Sequence, residues 1–280
     1  MASRREILKR MAATLETLYG PTEAAAIARM AVTEAEGITL SHLLAHADEE
    51  CTSNDTERML SELAAGRPIQ YVTGHCEFRG MEFEVGEGVL IPRPETEELV
   101  EAVAGRAESG AAVLDLCTGS GCIAVALAAE IAGSRVTAVD ISPRALEYAR
   151  RNAARAGVDV TFMECDILNG GTDSLPEESF DIVVSNPPYV PRSDMASMHM
   201  NVTGYEPHEA LFVDDDRPLI FYEAIAGIAR RLLRGSGSLC FEVYELYAGR
   251  VCDLLRRNGF KDIIMREDAN LKPRTVCCRK

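Results

Sequence analysis

The clearest chemistry in the sequence lies in an asparagine followed by two prolines and a tyrosine. Asn186, Pro187, Pro188 and Tyr189, named here the NPPY segment, come directly after the apolar run 180–184, which predicts a buried strand. The prolines fix the backbone and lack N–H donors, and Asn186 is held in the extended region because a proline follows it. The segment therefore offers an amide side chain and free carbonyl oxygens at a strand end, which suits the NH2 group of a planar amide or amine.

A second set of polar residues lies in a glycine-rich turn between a predicted strand and a predicted helix. Residues 117–121, named here the glycine loop, follow the strand 112–116, and Asp140 ends the next strand. Glycines let a ligand approach the backbone at a helix N-terminus, and an acid about 20 residues further on accepts hydrogen bonds from ribose hydroxyls. Enzymes that bind dinucleotides share this pattern, so on its own it does not identify the ligand.

Two details of the loop favour a cationic ligand over a dinucleotide. The sequence Cys-Thr-Gly-Ser-Gly lacks the third glycine of the dinucleotide pattern, and Asp115 stands just before the loop. A carboxylate there repels a pyrophosphate and attracts a cation, so S-adenosylmethionine, with its sulfonium and ammonium groups, fits the loop. Asp166 follows a third strand, where it can accept from an adenine amine, and Ile167 can cover the ring. A turn cap for Asp115 and an ordinary loop acid for Asp166 are the alternatives.

The elements that must position these residues alternate between strand and helix from residue 111 onwards. This alternation predicts a mainly parallel sheet with helices on both faces, and residues 261–266 and 275–279 predict an antiparallel pair at its edge. Between residues 190 and 216 we expect a long polar loop with a binding role. Arg93 and Thr96, at the start of a helix, either face the ligand or serve that helix through capping and dipole effects.

The first part of the chain has a different pattern. Residues 1–74 predict a small bundle of short helices, with Gly20-Pro21 ending the first helix and starting the second. Residues 75–91 begin with polar and apolar residues in alternation and predict a β-hairpin linker, and residues 92–280 form the α/β domain. Recognition of a partner and stabilisation of the fold are equally supported roles for the bundle.

Composition narrows the classes of function. The formal net charge of −15 argues against a broad nucleic-acid surface. The nine cysteines include no CxxC pair, so we interpret them as small buried thiols in a reducing compartment and expect no metal site. No apolar run approaches the roughly 20 residues of a membrane helix, and no signal peptide is recognisable, which favours a cytoplasmic enzyme.

The chain resembles the class I S-adenosylmethionine-dependent methyltransferases and, within them, the release-factor glutamine methyltransferases of the HemK/PrmC type. The matching stretches are residues 67–74, 90–97, 115–121, 186–189 and 205–207. The resemblance implies a Rossmann-like, seven-stranded α/β domain, preceded by a helical bundle that helps to bind a peptide chain release factor. We expect such a protein to act as a monomer.

The reaction implied by the resemblance is methylation of a protein amide. The methyl group passes from S-adenosylmethionine, leaving S-adenosylhomocysteine, to the side-chain nitrogen N5 of the glutamine in the Gly-Gly-Gln motif. Asn186, Pro187, Pro188 and Tyr189 would bind the glutamine, with Asn186, Pro187 and Tyr189 as the catalytic residues. The implied ligands of the donor are Asp115, Cys117, Thr118, Gly119, Ser120, Gly121, Asp140, Asp166, Ile167 and Asn186.

Three other functions remain open at this point. Methylation of an adenine amine in DNA or RNA uses the same Asn-Pro-Pro-Tyr sequence, and glutamine methylation of a ribosomal protein is a sister activity. A binding module that keeps the fold without activity is the non-enzymatic alternative. Two departures from the family pattern stand out. Cys117 replaces a glycine, which we expect to lower donor affinity, and Glu242-Val243-Tyr244 lacks the glycine that usually follows the acid.

Overall fold

The computed structural model describes residues 2–280, which divide into two compact units. The first, named here the helical unit, comprises the chain up to residue 75 together with residues 198–205. The second, named here the sheet unit, comprises residues 76–197 and 206–280. No helix in the described range has the length and apolar character needed to cross a membrane.

The helical unit is built around one long, interrupted helix. Its helices are α1 (Arg4–Glu36), α2 (Leu40–Ala45), α3 (Asp55–Ala64), α4 (Ile69–Thr73) and α8 (Met200–Thr203). Within α1, Gly20 leaves the helical conformation at φ 73° and ψ 166°, and Pro21 follows it. The predicted break at this pair is confirmed, because only glycine adopts such a φ without strain and proline restarts a helix readily. Met11, Leu15, Leu43 and Leu63 are completely buried in the core of this unit.

The sheet unit contains a hairpin and a central sheet with helices on both faces. Its strands are β1 (His75–Phe78), β2 (Met81–Glu84), β3 (Ala112–Leu116), β4 (Arg135–Asp140), β5 (Val160–Glu164), β6 (Phe180–Ser185), β7 (Val190–Pro191), β8 (Phe212–Val213), β9 (Leu233–Glu242), β10 (Lys261–Glu267) and β11 (Pro273–Arg279). Its helices are α5 (Pro94–Ala104), α6 (Cys122–Glu130), α7 (Pro143–Ala156), α9 (Ile220–Leu232) and α10 (Ala248–Arg257). The predicted hairpin is confirmed as β1 and β2, which turn at Arg79 and Gly80 with positive φ.

Seven strands form the central sheet in the order β10-β11-β9-β6-β3-β4-β5. Strands β9, β6, β3, β4 and β5 are parallel, and β11 runs antiparallel to both β9 and β10. The predicted fold and its antiparallel edge are therefore confirmed. The chain moves outward from β3 to β5 and then returns to the other side of β3 with β6. Ligands of open α/β sheets bind at such a reversal, outside the carboxyl ends of the strands.

The long loop after the NPPY segment is more ordered than its composition predicts. Strands β7 and β8 pair in parallel where the loop begins and ends. Between them, residues 198–205 belong to the helical unit: His199 Nε2 lies 2.8 Å from the Leu18 carbonyl oxygen, and the Tyr205 hydroxyl donates to the Ala65 carbonyl at 2.8 Å. A prediction based on domain boundaries along the sequence does not reveal this return of the chain.

One cysteine pair differs from the sequence expectation. Cys240 of β9 and Cys277 of β11 are direct partners across the two strands and form a disulfide, with their Cα atoms 4.1 Å apart. The expectation that all nine cysteines are free thiols is wrong for these two, because residues 37 positions apart become opposite neighbours only through the sheet register. The other seven cysteines are free.

Candidate active site

The glycine loop and the NPPY segment follow two neighbouring strand ends. Leu116, the last residue of β3, is the register partner of Ser185, the last residue of β6. The Ser185 hydroxyl donates to the Leu116 carbonyl at 2.5 Å and joins the two ends directly. The two motifs found in the sequence therefore start side by side, at the reversal in strand order.

A cavity of about 200 Å³ lies beside these strand ends. Seven residues predicted to bind the donor or the acceptor line it: Cys117, Gly119, Asp140, Asp166, Ile167, Asn186 and Pro188. Its charged lining residues are Asp140, Asp166 and Glu209, and no lysine, arginine or histidine takes part. Carboxylates without basic partners suit a cationic ligand and disfavour a pyrophosphate. The residues that line this cavity therefore fit S-adenosylmethionine better than a dinucleotide.

Asp140 is held rigidly at the end of β4. Its Oδ2 accepts a hydrogen bond from the Gly119 amide at 2.8 Å, and its Oδ1 accepts one from the Ser142 amide at 2.9 Å. Burial raises the pKa of this carboxyl, while the amide hydrogen bonds favour the ionised form. Asp166 is anchored in a similar way, because its Oδ1 accepts from the Leu168 amide at 2.9 Å.

Four of the predicted donor ligands lie behind the cavity instead of lining it: Asp115, Thr118, Ser120 and Gly121. Asp115 is completely buried, and its Oδ2 accepts from the Thr118 hydroxyl at 2.6 Å, which is the geometry of a turn cap. Its Oδ1 has no hydrogen-bond partner within the described residues. Burial raises the pKa of Asp115 to about 7. A Cβ atom on Gly121 would lie 2.9 Å from the Ala149 Cβ, so this glycine permits the close packing of α6 on α7.

Cys117 takes an unusual backbone conformation at the cavity wall. Its φ of 63° lies in the left-handed region, which residues with a Cβ atom rarely adopt. Burial raises the pKa of its thiol well above the ordinary value, so the side chain is uncharged. Cys117, which replaces the glycine of the family pattern, therefore stands at a position whose left-handed backbone a glycine adopts more easily.

A smaller cavity of about 30 Å³ lies against the NPPY segment. Pro187 and Tyr189 line it, and Asn186 lines both this cavity and the larger one. The amides of Tyr189 and Val190 donate to the Leu211 carbonyl at 3.2 and 2.9 Å, which fixes the end of the segment. Asn186 therefore stands where the two cavities meet.

A chain of hydrogen bonds holds the NPPY segment from behind. Asn186 Nδ2 donates to Thr96 Oγ1 at 3.2 Å, and the Thr96 hydroxyl donates to Glu242 Oε2 at 2.6 Å. The Tyr189 hydroxyl donates to Glu242 Oε1 at 2.9 Å. Thr96 lines neither cavity, so it supports the NPPY segment and does not face the ligand. Sequence reasoning missed Glu242 as a functional candidate, although a glutamate at the end of the apolar strand 239–241 was a usable signal.

Two further contacts fix the surroundings of the segment. The Tyr189 ring stacks on Tyr244, with centroids 6.1 Å apart and planes 12° from parallel. Glu206, which is 4% exposed, accepts from Arg93 Nη2 at 2.5 Å and from the Ile91 amide at 3.1 Å. Arg93 thus joins residues 91–93 to the loop at Glu206.

Within residues 2–280, no group of three histidine, cysteine, aspartate or glutamate side chains is arranged to hold a metal ion.

Comparisons with known proteins give the class of the domain and its fold. Residues 113–203 match the family model described as a methyltransferase domain, and residues 6–74 match the PrmC N-terminal domain. The crystal structure of a methyltransferase from Pyrococcus furiosus shares the fold, with a TM-score of 0.53 and 18% identity over 81% of this chain and 98% of that one. Fold and site together define a class I methyltransferase that uses S-adenosylmethionine as its methyl donor.

Two curated relatives give the family. The release factor glutamine methyltransferase of Bacteroides thetaiotaomicron is 36% identical over 95% of this chain and 96% of its own length. The protein of the same name from Flavobacterium psychrophilum is 43% identical over 76% of this chain and 75% of its own length. The chain belongs to the release factor glutamine methyltransferase family.

Proposed function

We propose that this chain methylates the side-chain nitrogen N5 of the glutamine in the Gly-Gly-Gln motif of peptide chain release factors. The relatives' names supply the substrate class. The observation that carries the assignment is the position of Asn186 on the walls of both cavities. No described residue donates to its Oδ1, so this oxygen is available to an incoming N–H group.

The larger cavity serves the donor in this proposal. When bound, S-adenosylmethionine supplies a methyl group on a sulfonium, and S-adenosylhomocysteine is the product. Asp140 accepts from the ribose hydroxyls, because its carboxylate is fixed by two backbone amides. Asp166 and Ile167 bind the adenine. Asp115, Thr118, Ser120 and Gly121 shape the glycine loop from behind, and Cys117 and Gly119 form its surface towards the donor.

The NPPY segment activates a poor nucleophile by positioning it. The lone pair of an amide nitrogen is delocalised, so the nitrogen attacks only when it is aligned with the methyl group. Asn186 Oδ1 and the Pro187 carbonyl accept hydrogen bonds from the two N–H groups, orient the nitrogen and stabilise the positive charge that develops on it. One of the two protons then leaves to water, so the methylated glutamine amide is neutral. Tyr189 forms the wall of the acceptor cavity, and its ring face favours nearby positive charge.

The proposal extends to partners and place of action. The helical unit contributes to binding the release factor, and the chain acts as a monomer in the cytoplasm, where its proposed substrate takes part in translation. The net charge of −15 disfavours DNA or RNA as the direct substrate. Methylation of a ribosomal protein has no observation in its favour.

Mass spectrometry of a release factor tests the assignment directly. After incubation with the enzyme and S-adenosylmethionine, the peptide containing Gly-Gly-Gln should gain about 14 Da, because a CH3 group replaces one hydrogen of the glutamine amide. Asn186→Ala should reduce turnover about 100-fold while calorimetry shows nearly unchanged donor affinity. A release factor with the glutamine replaced by alanine, and duplex DNA or RNA oligonucleotides, serve as controls. Methylation of the nucleic acids without methylation of the release factor contradicts the proposal.

A further inference from the structure

The hydrogen bonds behind Asn186 have a defined direction. Both oxygens of Glu242 accept hydrogen bonds from hydroxyl groups, which is the arrangement of an ionised carboxylate, because such a group accepts hydrogen bonds and donates none. The Thr96 hydroxyl donates its single proton to Glu242 at 2.6 Å. Its oxygen is then limited to accepting from Asn186 Nδ2, which lies 3.2 Å away.

This direction determines which way the Asn186 amide faces. Because its NH2 group is bound to Thr96, its Oδ1 is turned away from Thr96. The opposite rotamer of the amide would place Oδ1 against the Thr96 oxygen, where no proton remains for a hydrogen bond. The asparagine could then present only N–H donors to an acceptor amide that itself donates N–H groups.

We propose that Thr96 and Glu242 are positioning residues that fix the Asn186 amide with its oxygen towards the acceptor nitrogen. Neither residue lines the cavities, and Thr96 and Glu242 are 2% and 1% exposed. They act through Asn186 and Tyr189 rather than on the substrate. The inference rests on the proposed function, since it assigns roles for the same amide methylation.

Glu242 also orients the second substrate-facing side chain. Its Oε1 accepts from the Tyr189 hydroxyl at 2.9 Å, while the Tyr189 ring remains on the wall of the acceptor cavity. Burial raises the pKa of Tyr189 well above its ordinary value, so the phenol keeps the proton that it donates. One buried carboxylate thereby aligns both ends of the NPPY segment.

The titratable groups that face Glu242 are Arg274 on β11, Glu95 on α5, Tyr189 of the NPPY segment and Tyr222 on α9. Arg274 on β11 and the hydroxyls of Thr96 and Tyr189 favour the ionised form, whereas burial and Glu95 on α5 oppose it. Burial is the largest influence, and the pKa of Glu242 is raised above its ordinary value. Protonated Glu242 can donate to Thr96, which lets Thr96 donate to Asn186 Oδ1 and reverses the amide. Activity should therefore fall as the pH is lowered through this pKa.

Two threonine-to-valine substitutions form a matched test. Thr96→Val removes the hydroxyl that orders Asn186, while Thr275→Val removes a hydroxyl from the direct β11 partner of Glu242. Thr275 is 1% exposed, and its Oγ1 has no hydrogen-bond partner within the described chain. We expect kcat on a release factor to fall about 10- to 100-fold in Thr96→Val and to stay near wild type in Thr275→Val. Thr96→Ser keeps the hydroxyl and should restore most of the rate.

The readout must separate orientation from loss of structure. In Thr96→Val, calorimetry should give a donor Kd within about twofold of wild type, with the loss confined to kcat. The wild-type kcat, measured at each pH with saturating donor so that protonation of Asp140 does not limit it, should decline at acidic pH. In Glu242→Gln, which cannot ionise, this decline should disappear. The comparison of wild type with Glu242→Gln therefore tests the inference even if Thr96→Val does not fold.

Three results would overturn the inference. They are an unchanged kcat in folded Thr96→Val, an equal loss in Thr275→Val, and the same acidic decline in Glu242→Gln as in wild type. A wild-type enzyme that fails to methylate any release factor refutes the proposed function instead, because each comparison here is made relative to measurable wild-type turnover.

Discussion

At the residue scale, Cys117 combines two disadvantages at one position. It adds a side chain to the wall of the donor cavity, and its φ of 63° is unfavourable for any residue with a Cβ atom. The sequence identified the departure from glycine, because the glycine loop has a recognisable pattern. It did not reveal the left-handed backbone, which depends on how β3 runs into α6.

Cys117→Gly should therefore increase donor affinity. We expect the Kd for S-adenosylmethionine to fall about three- to tenfold, which corresponds to roughly 1 kcal/mol. The free energy of unfolding should change by less than about 1 kcal/mol, since relief of strain is offset by the larger entropy of unfolded glycine. Calorimetry measures the affinity, and Cys117→Ala is the control that keeps the strained Cβ. A Kd that does not improve in the glycine variant contradicts this account.

Asp115 makes stability depend on pH in the direction opposite to that of most carboxylates. Burial raises its pKa from 3.8 to about 7, so the folded protein holds a proton that the unfolded chain releases. This contribution to stability is fully present below about pH 4 and is lost as the pH rises through about 7. Between pH 4 and pH 8, wild type should therefore lose up to about 4 kcal/mol of unfolding free energy relative to Asp115→Asn.

Urea unfolding at several pH values measures this difference. Asp173→Asn, at a side chain that is 82% exposed, serves as the control and should show little shift relative to wild type. A constant difference between wild type and Asp115→Asn across the pH range contradicts the burial of an ionisable Asp115.

At the element scale, prediction succeeded where short-range rules decide the structure. The strand before the NPPY segment, the break at Gly20 and the hairpin turn all follow from local periodicity, proline and glycine. Prediction failed where register or distant packing decides. Strand β9 starts at Leu233 directly after α9, although its first residues include Gly235 and Gly237, because Leu233 pairs with Phe180 of β6 ahead of a register shift. Pairing with β11 covers only Ser238–Glu242. The role of Glu242 was missed for the same reason.

The contact between Glu206 and residues 91–93 should govern the order of the loop near the site. Glu206→Ala removes the partner of Arg93 and leaves the buried Ile91 amide unpaired, so we expect a loss of about 1–3 kcal/mol of stability. Glu206→Gln keeps an acceptor for Ile91 and should lose less. Urea unfolding gives the values, and Glu209→Gln, at an exposed residue of the donor-cavity lining, should change stability by under about 0.5 kcal/mol. Equal stability of Glu206→Ala and wild type contradicts the assignment.

At the scale of the whole molecule, the chain enters the helical unit twice. It leaves this unit after residue 75, returns at residue 198 and leaves again after residue 205. Inside the unit, Tyr205 and His199 bond to backbone carbonyls of Ala65 and Leu18, and His199 stacks on Tyr19 at 5.2 Å. The stability of the helical unit therefore includes a contribution from residues far along the sequence.

Tyr205→Phe tests this contribution. Loss of the hydrogen bond to Ala65 should lower the stability of the helical unit by about 1 kcal/mol. Hydrogen exchange should then show faster amide exchange in α3 and unchanged exchange in the strands of the central sheet, with donor affinity unaltered. Tyr247→Phe in the sheet unit is the control. Faster exchange in the central sheet of Tyr205→Phe would argue against two separately packed units.

The double entry of the chain also limits how the protein can be recombined with its relatives. Gly66 has a φ of 87°, and a Cβ atom placed there would lie 2.9 Å from the Met200 Cε. The end of the Met200 side chain therefore lies against Gly66, and the two positions are best inherited as a pair. A chimera with a single junction at residue 75 takes these two residues from different parent proteins. A graft that takes residues 198–205 from the same parent as the N-terminal segment keeps that parent's packing intact.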